Sequence, residues 1–276
     1  MTINPQATYH KPRKRFGQNF LHDMRIIQRI VSSIAPKEHE PILEIGPGQG
    51  ALTAVILPHK PQLTAVELDR DLAAMLRTKF ADNNNFSLIE GDALQFDLHS
   101  LNAAPHSLRV VGNLPYNIST PLLFHLLSQR ECIRDMHFML QKEVVQRMAA
   151  EPGSKDYGRL SIMAQYYCQV TSLFDVPPGS FFPPPKVMSA IVRLQPREAE
   201  LAAHNTQTLS QLVNIAFQQR RKTLRNTLKI IATEEQIIAA GINPDARAET
   251  LSVTDFVRLA NQLDNTSEGD SPACPE

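Results

Sequence analysis

The sequence predicts an α/β fold, a doubly wound and largely parallel sheet followed by a small helical domain, and three observations carry that prediction. From residue 41 onward short apolar runs alternate with helix-like stretches, the pattern of strands joined by crossover helices. A glycine-rich turn with Gly46, Gly48 and Gly50 directly follows the first of those runs. Beyond Pro196 the β-rich character gives way to polar, amphipathic segments.

Taken in order, "PILEI", "QLTAVEL", "FSLIE", "LRVVG" and "MHFML" read as five successive strands. Two longer β-rich stretches follow, "SIMAQYYCQVTSLFDV" and "VMSAIVRL", separated by the proline-dense "PPGSFFPPPK", and they are expected to close the far edge of the sheet. Then come three helical segments, "TLSQLVNIAFQQRRKTLRNTLKIIA", "TEEQIIAAG" and "SVTDFVRLANQL", the last with Ser252 as its N-cap. The expected division is a first domain over residues 1–200 with a basic N-terminal arm, a helical domain over 201–265, and a disordered tail over 266–276. No internal repeat is found.

At 276 residues, 42% of them hydrophobic, the chain is long enough to bury a substantial core. Its cysteines, Cys132, Cys168 and Cys274, show no CxxC spacing and no neighbouring histidine cluster in the sequence, so neither a disulfide framework nor a metal site is expected. The N-terminal "MTINPQATYH" lacks the apolar stretch of a signal peptide, and no run reaches membrane-spanning length. A soluble, cytoplasmic protein is therefore expected. Formal net charge is zero, but the charge is segregated: residues 1 to 30 carry six bases and one acid, whereas residues 231 to 276 carry nine acids and two bases. Two basic clusters are candidate phosphate-binding surfaces. One is Lys11, Arg13, Lys14 and Arg15, beside Phe16 and Phe20; the other is Arg220, Arg221, Lys222 and Arg225.

The motifs concentrate at the predicted strand ends. "LEIGPGQGALT" places its glycines between a strand and a helix, where the backbone turns sharply and the helix offers unpaired amides. Its spacing is GxGxG, not the GxGxxG of a dinucleotide loop, which argues against a dehydrogenase. Glu67, at the end of "AVEL", lies about 20 residues further on, where an acid binds the ribose hydroxyls of an adenosine-containing cofactor. Asp92, in "IEGDAL", is suited to an adenine amino group, and the fourth strand ends in "GNLPY". Any one of these is ordinary loop chemistry. All four in strand order at the carboxyl edge of a sheet indicate a ligand site.

The set "FGQNFL", "LEIGPGQGALT", "VELD", "GDAL", "GNLPYNIST", "FFPPPKVMSA" and "RRKTLRN" resembles the S-adenosylmethionine-dependent ribosomal RNA adenine dimethyltransferases of the small-subunit, kasugamycin-sensitivity type, from about Arg15 to about Leu263. The resemblance implies a class I S-adenosylmethionine-dependent methyltransferase domain, Rossmann-like, with a small C-terminal helical domain that binds RNA. It implies that Asn19 and Leu21 close over the cofactor, that Gly46 lies under its methionine part, and that Glu67 holds the ribose, Asp92 the adenine amine and Asn113 the acceptor side. The implied partner is the 16S rRNA of the small ribosomal subunit, dimethylated at two adjacent adenosines in its 3′-terminal hairpin loop during subunit biogenesis. The implied protein is a monomer using no metal. Met188 departs from the family, which usually carries an acid after "PKV".

The chemistry of "NLPY" agrees with that resemblance. Adenine N6 is a poor nucleophile because its lone pair is delocalised into the ring, and two acceptors aimed at its hydrogens draw the nitrogen towards a tetrahedral geometry. The Asn113 side-chain oxygen and the Leu114 carbonyl are the candidates, with Pro115 stiffening the chain. Tyr116 is expected to stack on the flipped base, and Phe181, with Phe182 as its rival, to close on the other side. Two alternatives are a large-subunit dimethylase of the antibiotic-resistance type and a non-catalytic RNA-binding assembly factor on the same fold. The "FGQNFLHD" and "RRKTLRN" contexts favour the small-subunit enzyme over the first, and the complete cofactor set favours catalysis over the second.

Overall fold

The computed structural model of the chain describes residues 18–115 and 118–268. Two compact units emerge: the first runs to Val145 and takes in Thr171–Pro196, and the second comprises Gln146–Val170 with the residues from Arg197 on. The division after Pro196 lies near the expected boundary at residue 200. The excursion over 146–170 was not anticipated.

In chain order the elements are β1 (Phe20–Leu21), α1 (Met24–Ile34), β2 (Pro41–Ile45), α2 (Ala51–Ile56), β3 (Gln62–Glu67), α3 (Arg70–Lys79), β4 (Phe86–Glu90), β5 (Leu108–Asn113), α4 (Ser119–Leu127), β6 (Ile133–Gln141), α5 (Lys142–Met148), α6 (Arg159–Tyr167), β7 (Cys168–Val176), β8 (Phe181–Phe182) and β9 (Ser189–Pro196). The remainder is helical: α7 (Thr206–Ala216), α8 (Leu224–Thr227), α9 (Glu234–Ala239) and α10 (Val253–Glu268). Seven strands form one sheet in the order β4-β3-β2-β5-β6-β9-β7. From β4 to β6 neighbouring strands are parallel, and β9 returns antiparallel to β6.

The five expected strands are present, and the two later β-rich stretches supply β7 and β9 beyond β6, with β9 inside the sheet and β7 at its edge. The order reverses between β2 and β5, because the chain leaves β2 outward through β3 and β4 and comes back to lay β5 on its other side. That switch point opens a crevice at the carboxyl ends of the two strands. Interior strands of such a sheet are covered on both faces, which is why "LRVV" in β5 is buried throughout. Close spacing of β5 and β2 also explains Gly112, since a Cβ there would lie 2.6 Å from the Ile45 carbonyl oxygen.

Helix α1 packs Ile27, Ile30, Val31 and Ile34 into the core at the i, i+3, i+4, i+7 spacing of one helical face. Asp23 caps it by accepting from the Arg25 amide at 3.0 Å. Ile42, Leu52, Ile56, Leu63, Val111 and Met139 belong to the same core.

Two elements differ from expectation. "SIMAQYY" is helical in α6, because Gly158 donates to Ser161 Oγ at 3.0 Å and caps a helix start that a count of β-formers overlooks. The long helical segment expected from Thr208 begins at Thr206 and is broken after Ala216, with residues 217–221 in turns before α8. Arg220 accounts for the break: its guanidinium donates to the carbonyls of Lys155 (2.9 Å) and Tyr157 (3.2 Å) and pairs with Glu249 (3.2 Å).

The second unit is organised around Tyr157, fully buried, whose ring meets Phe217 edge-on with Phe217 in turn against Phe256. Ser252 caps α10 as expected: its hydroxyl accepts from the Asp255 amide (3.1 Å), and the Asp255 carboxylate accepts from the Ser252 amide (2.8 Å). Helix α10 continues to Glu268, so it enters the stretch expected to be disordered, while 269–276 lie outside the described residues. No helix among the described residues is long and apolar enough to cross a membrane.

Candidate active site

The strand ends singled out in the sequence meet around one cleft of about 340 Å³ in the first unit, lined by residues of β1, the glycine loop, the ends of β3 and β4, and by Asn113, Leu114, Pro115 and Ile118. Asn19, Leu21, Gly46, Glu67, Asp92, Asn113 and Leu114 all line it. Tyr116 lies outside the described residues, as do Lys11, Arg13, Lys14 and Arg15.

The glycine loop passes through the left-handed region at Gly46 (φ 62°) and Gly48 (φ 59°), a path any Cβ would strain. Above Gly46 the space is open, with nothing within 4 Å of where a Cβ would sit. At Gly48 a Cβ would come within 3.1 Å of the Phe20 ring, so this glycine admits the aromatic that covers the loop.

Glu67 is almost fully buried, and its two oxygens accept from the Gly48 amide (3.2 Å) and the Asp69 amide (2.9 Å). Burial holds its acidity weaker than usual, and those two amides oppose the shift. Each oxygen keeps a second lone pair, which suits a ligand presenting hydroxyl donors. Asp92 has Oδ1 engaged by the Leu94 amide at 2.9 Å. Below the loop Glu44 is fully buried, accepts from the Thr53 hydroxyl at 2.6 Å, and is pushed by burial up to about 7.

Asn113 carries the most specific geometry. Its Nδ2 donates to the backbone carbonyl of Asn19 at 2.9 Å, and because a carbonyl only accepts, this bond decides which end of the amide is which. The side-chain oxygen is left as the group Asn113 offers to the cleft. Leu114 is anchored through its amide to the Met139 carbonyl (3.3 Å), and the Pro115 carbonyl accepts from the Ile118 amide (3.1 Å).

A family model described as ribosomal RNA adenine dimethylase matches residues 9–265. The chain belongs to that family. Among its relatives, "Ribosomal RNA small subunit methyltransferase A" of Pseudomonas fluorescens is 61% identical over 255 residues, 92% of this chain and 94% of the relative. The protein of the same name from Acinetobacter baylyi is 53% identical over 262 residues, 95% and 96% of the two chains. Solved structures with the same fold include a dimethyladenosine transferase from Plasmodium falciparum (TM-score 0.75, 28% identity, 91% of this chain and 98% of that one) and the 23S rRNA methyltransferase ErmE (0.69, 27%, 89% and 100%). This dimethylase-family member accordingly has the class I methyltransferase fold expected from its sequence.

Three expectations change. Phe181 is 3% exposed and packs in the core with Leu21, its partner in the β1–β8 ladder, so it does not present a ring for stacking. Side chains alternate along a strand, and it is the neighbour Phe182 that is exposed, at 49%. Of the second basic cluster, Arg220 is tied to its own unit and Arg225 pairs with Glu234 (3.5 Å) and Asp245 (3.0 Å). Arg221 and Lys222 are exposed, with no ion pair to either among the described residues. Third, folding does assemble a cysteine–histidine group: the ligating atoms of His99, Glu131 and Cys132 lie within 4.8 Å of one another, with His99 Nε2 3.1 Å from a Glu131 carboxylate oxygen.

Several cleft residues escaped the sequence reading: Gln18, Phe20, Glu44, Leu68 and Ile118. Leu68 had a signal in its place directly after Glu67, and the fold leaves it 50% exposed. Gln18 and Phe20 stand in "FGQNFL", where the sequence marks Phe20 as a neighbour of the basic cluster, not as a cleft residue.

Proposed function

We propose that the chain transfers methyl groups from S-adenosylmethionine to N6 of two adjacent adenosines in the 3′-terminal hairpin loop of 16S rRNA, acting as a cytoplasmic monomer in small-subunit biogenesis. The observation that carries the reading is the orientation of Asn113, whose amide nitrogen is committed to the Asn19 carbonyl and whose oxygen is therefore an acceptor for an amino group. Identity of 53 to 61% with relatives bearing the small-subunit name, against 27% with the 23S enzyme, favours the small subunit as substrate.

The cleft fits the cofactor in size and in donor chemistry. Its volume falls within the range of about 300–1,000 Å³ typical of small-molecule sites. Gly46 leaves room for the methionine part, Glu67 accepts from the ribose hydroxyls, Asp92 accepts from the adenine amine, and Asn19 and Leu21 cover the site. When bound, the cofactor supplies an electrophilic methyl group. The protein's share is positioning: the Asn113 oxygen and the Leu114 carbonyl hold the two N6 hydrogens of the target, and Pro115 limits movement of that carbonyl. No strong base is needed, since the methylated nitrogen is cationic and gives its proton to water. Tyr116 stacks on the flipped base, and the exposed Phe182, not the buried Phe181, closes on its other side. Lys11, Arg13, Lys14, Arg15, Arg221 and Lys222 contact RNA phosphates.

Incubating the protein with methyl-labelled S-adenosylmethionine and unmethylated small subunits, then mapping the labelled nucleotides, tests this reading. Label on two neighbouring adenosines of the 3′-terminal hairpin is expected. Label elsewhere in the small subunit, or none at all while unmethylated large subunits given in parallel are labelled, overturns it.

A further inference from the structure

Residues 18 to 22 form a strap with separate attachments. Gln18 Nε2 donates to Asp69 Oδ2 at 3.2 Å, the Asn19 carbonyl accepts from Asn113 Nδ2 at 2.9 Å, and the Phe20 ring lies over Gly48. Phe20 and Leu21 pair with Phe182 and Phe181, and the His22 amide donates to the Ser180 carbonyl at 3.0 Å. Asp69 is itself fixed: its other oxygen caps α3 through the Asp71 amide (3.1 Å), and its own amide donates to Glu67 Oε1 (2.9 Å). A continuous path therefore runs from Glu67 through Asp69, Gln18 and the Asn19 carbonyl to the amide of Asn113. Its first member faces the ribose and its last the target amine under the function proposed above, on which this inference rests.

We propose that Gln18 is a positioning residue for methyl transfer, holding the strap to Asp69 so that the Asn19 carbonyl fixes the Asn113 amide with its oxygen towards the target. Without the latch the amide of Asn113 turns about its terminal torsion, which is broad and nearly two-fold, and presents its nitrogen and its oxygen in turn. A nitrogen there repels the N6 hydrogens. The acceptor geometry is thus completed by a segment that also covers the cofactor cleft, and a closed strap readies both sites together. Gln18 acts through the strap and touches neither the methyl group nor the target.

The pair lends itself to a reversal. Gln18→Glu sets two carboxylates against each other and opens the latch. Adding Asp69→Asn restores one hydrogen bond with donor and acceptor exchanged, and Asn still caps α3. In 15N-labelled protein the Asn113 side-chain amide, assigned by its loss in Asn113→Asp, is expected to exchange with solvent about tenfold faster in Gln18→Glu and in Gln18→Ala, the cost of one hydrogen bond, and to regain protection in the double variant. Single-turnover methyl transfer at saturating S-adenosylmethionine should fall by a similar factor of about ten and recover in the same variant. An Asn113 amide indifferent to Gln18→Glu, or a lost rate that Asp69→Asn does not restore, overturns the proposal. The exchange measurement needs no RNA, so failure of the wild-type protein to methylate small subunits would count against the proposed function and leave the latch standing on its own result.

Discussion

The two ends of β2 and β5 treat polar groups in opposite ways. At the amino edge Arg109 is buried and nearly saturated: Nε and Nη2 reach the two oxygens of Asp135, both at 2.9 Å, and Nη1 reaches Glu40 at 3.2 Å and the Ala35 carbonyl at 3.5 Å. Arg134 completes the group by donating to the other Glu40 oxygen at 2.6 Å. At the carboxyl edge Glu67, Asp92 and Asn113 each make enough bonds to be held still and keep acceptor capacity for something else. Saturation yields a group whose role ends with the fold, whereas partial saturation on a rigid frame yields a binding site.

The comparison breaks most visibly at the amino edge. Arg109→Ala leaves the buried Asp135 carboxylate without its guanidinium and Glu40 with Arg134 alone, and is expected to cost about 3–5 kcal/mol of stability, with cofactor affinity of the folded fraction unchanged. Chemical denaturation beside calorimetric titration measures both. A midpoint equal to wild type would remove the distinction between the two ends. At the carboxyl edge the effect moves from stability to rate: Asn113→Ala should lower single-turnover methyl transfer on the order of 10²- to 10³-fold, the loss of one preorganised acceptor, with little change in melting temperature or S-adenosylmethionine affinity. Retention of half the wild-type rate would exclude the acceptor role.

Glu44 sharpens the contrast, being buried at the carboxyl edge with Thr53 as its one hydrogen-bond partner among the described residues. Burial raises its pKa from 4.5 to about 7, so between those values the unfolded chain releases a proton that the folded protein keeps. Its stabilising contribution is therefore complete at low pH and fades as pH rises through about 7. Glu44→Gln keeps an acceptor for Thr53 without the titration. Relative to wild type it should gain on the order of 3 kcal/mol in stability between pH 4.5 and 7, read from denaturation at several pH values. A constant difference across that range would mean Glu44 is not held neutral.

The smallest effect is expected in the second unit, where neighbouring bases divide the same two roles. Arg221→Ala with Lys222→Ala should flatten the salt dependence of RNA binding by up to about 0.7 per lost contact on a log-log plot and leave the melting temperature unchanged. Arg220→Ala should do the reverse. A lower melting temperature for the double variant with an unaltered salt slope would assign both residues to the fold.

Periodicity and local chemistry carried much of this protein in the sequence itself. Alternating apolar runs define seven strands because interior strands of a parallel sheet must be apolar on both faces, and Ser252 announces α10 because a hydroxyl three residues before a carboxylate closes a capping box. Gly46, Glu67, Asp92 and Asn113 were legible as residues of one cleft because a parallel sheet brings successive strand ends to the same edge, and the spacing of those ends along the chain can be measured. Other features depended on partners distant in sequence. Phe181 and Phe182 are identical residues, and only pairing with Leu21 and Phe20 determines which one is buried. Arg220 and Arg221 are adjacent, and only the carbonyls of Lys155 and Tyr157 separate a residue that ends a helix from one that faces solvent. The amide of Asn113 acquires its direction from Asn19, 94 positions away along the chain. A side chain's type and local period are written in sequence, but its partner is chosen where the folded backbone brings a complementary group within bonding distance.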